Sequence, residues 1–211
     1  MRTVLSRESI HLVERDDTVH VVAEEYFYKT ESYYTILSHE IHGIPVAPGS
    51  SAVLDAYIVP LCLERAGSAG IPVADCTISH SCARYPAVLY GLNYFASSSE
   101  YIVVRDSARG KETVRHITNN GRYPLCYQRL AEGEYIEGHV AIFGNSCRED
   151  DDICGYARSL YEVFGIPLVT MVFVRGEDGA RLSSLAPTRY SSLSNAEKTL
   201  LRAYITNQEF S

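Results

Sequence analysis

The last third of the chain admits few folds. "YIEGHVAIFGN" alternates around His139 to Phe143, the period of two that a strand with one buried face requires. "REDDDICGYARSLYEVFG" changes to helical spacing, with Ile153, Ala157, Leu160 and Phe164 on one face and Gly165 where a left-handed stop belongs. Asp150, Asp151 or Asp152 supplies the cap, and the acidic run favours the positive end of the helix dipole. "IPLVTMVFVRG" returns to a strand, Glu177-Asp178-Gly179 turns it, and "ARLSSLAP" runs back. "SNAEKTLLRAYITN" closes the chain as a helix, with Ser194 and Glu197 spaced as a capping box. The antiparallel hairpin rules out an all-parallel sheet. The fold class is therefore α+β, a mixed sheet with helices packed on it and a C-terminal strand-helix-hairpin-helix unit.

The first two thirds extend this pattern. "DTVHVVAEEY" is rich in β-branched residues and reads as a strand. In "ESYYTILSHEIHG", Tyr33, Ile36, Leu37 and Ile41 fall on one helical face, with Ser32 as the cap and Gly43 as the stop. "SSAVLDAYIVPLCLERAG" is a second helical stretch, capped by Ser50 or Ser51 and stopped at Gly67. Pro60 should kink or divide it. "EYIVVRDS" reads as a strand, while "ARGKETVRHITNNGRYPLCYQRL" reads as a surface excursion or flap with a turn at Asn120-Gly121. With no repeat, low-complexity stretch or linker, residues 1–211 are expected to form one domain. If that domain has two lobes, the boundary is expected between about 80 and 120.

Composition narrows the function classes. The net charge of −7 and the lack of a Lys/Arg-rich run argue against a nucleic-acid partner. No apolar run reaches the roughly 18 to 20 residues of a membrane helix. The N-terminus is charged early and lacks the apolar core of a secretion signal, so a cytoplasmic protein with no membrane partner is expected. Of the six cysteines, none forms a C-x-x-C pair, and Cys76/Cys82 and Cys147/Cys154 match no common zinc spacing.

The candidates for chemistry are few. His39 and His42 flank Glu40, but they stand three apart, about 300° around a helix, where a metalloprotease pair needs about 400°. No third ligand is nominated, so His39 and His42 are weak metal candidates at a helix C-terminus, and no metal is expected. The acidic run from Glu149 to Asp152 lacks the alternating ligands of a calcium loop and reads as capping. Cys82, Cys126 and Cys147 are nucleophile options, with His80, His116 and His139 near them in sequence, but no motif pairs them. Neither a nucleophile elbow nor a phosphate-binding glycine loop occurs. Arg105, Arg109, Lys111 and Arg115 form a basic run suited to a carboxylate or phosphate.

Two stretches, taken together, carry a resemblance. One holds Tyr33-Tyr34, Glu40 and Gly43 ahead of a proline-containing strand. The other holds Phe143-Gly144, Ala157-Arg158, Leu160-Tyr161-Glu162, Phe164 and Pro167-Leu168-Val169. This pattern is similar to the RimK-like ATP-grasp N-terminal domain, an α+β domain that normally precedes a ligase. The likeness covers about half of the chain. It departs at His39-Glu40-Ile41-His42-Gly43, where the family's arginine is absent. The resemblance implies a stand-alone version with no room for the ligase's lysines and magnesium carboxylates. It therefore implies no cofactor and, leaning away from an enzyme in its own right, a non-catalytic accessory or substrate-binding role. The expected partner is a separate ATP-grasp ligase that joins a carboxylate to an amine, or that ligase's peptide or amino-acid substrate. Tyr33, Tyr34, Glu40, Arg105, Arg109, Lys111 and Arg115 are the binding candidates. Two rival classes are a small thiol- or metal-dependent hydrolase or transferase and a structural homo-oligomer.

Overall fold

The structure is a computed structural model that describes residues 5–7, 9–81, 84–92, 101–147 and 150–206. Cys82 and Glu149 lie outside these residues. The chain divides into two compact units. The first is Met1–Leu54, His139–Thr170 and Pro187–Ser211, and the second is Asp55–Gly138 and Met171–Ala186. The stretch from 80 to 120 lies within the second unit.

In the first unit, β1 (His11–Arg15) and β2 (Thr18–Val22) form an antiparallel hairpin turned by Asp16 and Asp17, both at positive φ. A parallel pairing joins β2 to β3 (Val46–Ala47). The helix α1 (Glu31–Ile41) is capped by Thr30, whose hydroxyl accepts from the Tyr33 N–H; Ser32, the expected cap, instead donates its hydroxyl to the Glu25 carbonyl at 2.5 Å. Gly43 sits at φ +69 as the left-handed stop. Tyr33 and Ile36 are buried, but Ile41 is 80% exposed, so the predicted apolar face ends a turn early. α5 (Asp151–Phe164) is capped by Asp150, buries Ile153, Ala157, Leu160 and Phe164, and stops at Gly165. α6 (Asn195–Ile205) starts with the Ser194–Glu197 capping box. The core of this unit gathers Val13, Val22, Ile142, Phe143, Leu168, Tyr190, Leu193 and Leu201. Each large apolar side chain there contributes about 1.5–3 kcal/mol relative to exposure.

The second unit starts in α2 (Ser50–Tyr57) and continues into α3 (Val59–Ser68), divided as expected, with Pro60 in the first turn of α3. A proline there removes only an N–H that has no helical partner. The stop lies beyond the expected Gly67, with Gly70 at positive φ. A four-stranded antiparallel sheet has the order β4 (Thr77–Ser79), β7 (Leu125–Arg129), β5 (Ala87–Gly91) and β6 (Ile102–Val104). The basic run that reads as a loop is a helix, α4 (Ser107–Ile117), with the Asp106 carboxylate accepting from the N–H groups of Ala108 and Arg109. Its contact face carries few apolar side chains: Val114 is buried, Ile117 is partly buried, and the Tyr85 ring lies against Gly110. Asn119, Asn120 and Gly121 all take positive φ and reverse the chain from α4 into β7; Asn120-Gly121 therefore ends a helix here.

β8 (Tyr135–Ile142) and β10 (Leu168–Gly176) each begin in one unit and end in the other. They belong to a second four-stranded sheet, ordered β11 (Gly179–Ala186), β10, β8, β9 (Asn145–Ser146). The chain is α+β with mixed sheets, as the sequence predicts.

Replacing Gly110 with alanine should raise helix propensity by about 1 kcal/mol. A Cβ at Gly110 would, however, stand 2.1 Å from the Tyr85 ring, and forced repacking costs about 1–3 kcal/mol. The variant G110A is therefore expected to be less stable than the parent in urea denaturation, and G110A combined with Y85A should recover the helix-propensity gain.

Candidate functional site

Alternation along β7 sorts its side chains. Leu125 and Tyr127 face the α4 side, packed with Ala87, Leu89, Val104 and Val114. Cys126 and Gln128 face the other way, and all four are buried. On that second face, β11 meets the sheet through polar groups. The Tyr90 hydroxyl donates to Ser183 Oγ at 2.6 Å, Ser183 donates to Gln128 Oε1 at 2.5 Å, and Gln128 Nε2 donates to the Ser183 carbonyl at 2.7 Å. Burial raises the Tyr90 phenol far above its ordinary value, so it stays protonated. These neutral groups satisfy one another in a dry setting.

Past Arg129 the chain leaves the sheet, and a cleft opens along residues 129–135. It encloses about 1180 Å³ and is lined by Asp75, Arg105, Arg129, Glu132, Glu134, Asp178 and Arg181 among others. A smaller adjoining recess of about 480 Å³ shares Arg105, Leu130, Glu134 and Tyr135 and adds Asp106 and Arg109. Glu134 organises the wall: it pairs with Arg181, its Oε2 accepts from the Ala131 N–H at 2.6 Å, and the Gly176 backbone packs against its stem. Arg181 is thereby neutralised. Among the described residues, Arg105, Arg109 and Arg129 have no ion-pair partner and are exposed. The described lining carries no thiol, imidazole or aliphatic hydroxyl. The arrangement suits recognition of a ligand with both carboxylate and amine groups: free guanidinium forks for the one, Asp75, Glu132 and Asp178 for the other.

Of the basic run, the structure brings Arg105 and Arg109 to the cleft; Lys111 and Arg115 lie elsewhere on α4, and Arg115 Nε donates to Asn120 Oδ1 at 2.7 Å. Tyr33, Tyr34 and Glu40 belong to the other unit. Tyr33 fills its core, Tyr34 is 60% exposed, and Glu40 Oε1 accepts from the Ser50 N–H at 2.7 Å, capping α2. His39 and His42 each hydrogen-bond through Nδ1 to the carbonyl four residues back. Sequence reading missed Arg129, Arg181, Glu134 and Asp75. They come from separate segments, and no local spacing connects them.

No family model and no curated protein matches the chain. Solved structures do. The ATP-grasp ligase PsnB, determined in complex with a minimal precursor, aligns over 95% of this chain and 86% of its own, at 14% identity and a TM-score of 0.57. A RimK domain ATP-grasp protein from Sphaerobacter thermophilus aligns over 82% and 76%, at 15% identity and 0.61. D-alanine-D-alanine ligase from Helicobacter pylori aligns over 83% and 68%, at 14% identity and 0.60. The fold resembles that of ATP-grasp ligases, and the aligned share exceeds the half-chain likeness to an N-terminal domain seen in the sequence.

PsnB has also been determined with Mg and ADP; in this chain the cations free to meet a phosphate are the cleft arginines Arg105, Arg109 and Arg129. Phosphoryl activation needs cations on the phosphates and carboxylates on the metal. The lysines, Lys29, Lys111 and Lys198, all lie off the strands. The end of β11 is Leu185-Ala186, followed by Pro187, and the inner positions of the second unit are the neutral Tyr90, Gln128 and Ser183. Among the described residues no group of three or more His, Cys, Asp or Glu side chains could hold a metal ion.

The wall residue and the free arginines should separate by stability. Glu134→Ala removes the acceptor of the Ala131 N–H and of Arg181, both reachable by water, and should cost about 1 kcal/mol. Arg105→Ala and Arg129→Ala, exposed and unpaired, should stay within about 0.5 kcal/mol of the parent in the same urea titration.

Proposed function

We propose that the protein is a non-catalytic accessory or substrate-binding protein built on the ATP-grasp fold. It acts in the cytoplasm beside a separate ATP-dependent ligase that joins a carboxylate to an amine, and it holds that ligase's peptide or amino-acid substrate. One observation carries this reading. The inner positions of the second unit are filled by a neutral hydrogen-bond network, while the free charges stand in an open cleft whose described lining carries no thiol, imidazole or aliphatic hydroxyl. Such a cleft binds and orients a zwitterionic ligand through free guanidinium groups and carboxylates. The complex of PsnB with its precursor supports a peptide as the ligand class.

A second reading, that the chain is itself a ligase, is favoured by the share of PsnB that it matches, 86%. Its mark would be amide formation by the protein alone.

The test mixes the purified protein with the ATP-grasp ligase encoded nearest to its gene. Co-sedimentation and a change in the ligase's KM for its peptide are expected, and Arg105→Ala with Arg129→Ala should weaken the KM effect about tenfold, the worth of one charged hydrogen bond. Absence of both association and any effect on turnover would refute the accessory role.

A further inference from the structure

The register of β4 on β7 sets Thr77 opposite Tyr127 and Ile78 opposite Cys126. Continued by one residue, it sets Cys76 opposite Gln128, on the same face as Cys126 and diagonal to it. The two thiols are therefore neighbours on one face of the strand pair. Cys126 is fully buried, whereas Cys76 is half-buried at the mouth of the strand. Two unlike thiols on diagonal positions of one face, one reachable from solvent and one behind it, are the parts of a resolving pair.

We propose that Cys76 and Cys126 form a peroxide-reactive dithiol that closes to a disulfide across β4 and β7. The Cys76 thiolate attacks the near oxygen of a hydroperoxide; the O–O bond breaks, the alkoxide or hydroxide leaves, and Cys76 becomes a sulfenic acid. Sγ of Cys126 then attacks Sγ of Cys76. The S–O bond breaks, and the hydroxide departs as water with the Cys126 proton. One peroxide is reduced and two thiols are oxidised.

The surroundings favour this order of attack. The neighbouring Cys126 thiol draws Cys76 below the ordinary thiol range, outweighing its partial burial and the carboxylates of Asp75 and Glu64. The same contact and burial push Cys126 up, so it stays protonated until Cys76 is oxidised. Elsewhere, burial pushes Cys62 up to about 12, and burial, Glu197 and Cys154 raise Cys147. Closure is within reach. Diagonal Cα atoms lie about 7–8 Å apart across a sheet, and a disulfide accepts up to about 6.8 Å. β4 has three residues and lies at the sheet edge, so it can shift by that small difference.

The full chain, reduced and then treated with hydrogen peroxide, is digested without reductant and mapped by mass spectrometry. A Cys76–Cys126 linked peptide, two hydrogens lighter than its parts and reversed by dithiothreitol, is expected. Cys126→Ser should stop at a sulfenic acid on Cys76 that dimedone traps, and Cys76→Ser should react at least about tenfold more slowly at neutral pH. A map in which these two peptides remain separate, or in which Cys82 or Cys147 forms the first crosslink, overturns the proposal without depending on either variant.

Discussion

The second unit depends on one buried contact, the chain of hydrogen bonds from Tyr90 through Ser183 to Gln128. These residues come from β5, β11 and β7, which are far apart in sequence. An unpaired polar group in such a setting costs about 1–3 kcal/mol, so the three positions are held together or not at all. The network fixes where β11 lies on the antiparallel sheet. The bonds that Leu182 and Ala74 make across the Pro72–Ala74 segment secure β11 from its other side.

The cleft is built on that base. β7 ends at Arg129, the chain turns through residues 130–134, and Glu134 ties the turn to β11 through Arg181. Opposite, Asp106 caps α4 and sets the direction in which Arg105 and Arg109 leave the backbone. Acidic groups thereby anchor the backbone that carries the cationic ones. The guanidinium groups that the structure leaves unpaired are the ones free to meet a ligand.

What the sequence made legible follows the strength of local signals. α5 and α6 were readable because each has a side-chain cap, and α5 also has an apolar stripe and a terminal glycine. α4 was not, because its packing face is only Gly110, Val114 and Ile117 among charged residues: the glycine that meets Tyr85 leaves too short an apolar stripe to set a period. Ile41 extended the stripe of α1 in sequence yet is exposed, since helical spacing alone does not show where the core ends. Two residues of the site, Arg105 and Arg109, stood out as part of a charge run. Arg129, Glu134 and Arg181 stood alone in unrelated segments, and only the pairing of strands brings them to one wall.

The account makes the chain an ATP-grasp fold that binds without activating. Calorimetric titration of the isolated protein with ATP and magnesium tests this most directly. The account predicts no saturable heat up to about 1 mM nucleotide, weaker than about 4 kcal/mol of binding. A saturating isotherm in the micromolar range, with ADP released when a carboxylate and an amine are added, would contradict it.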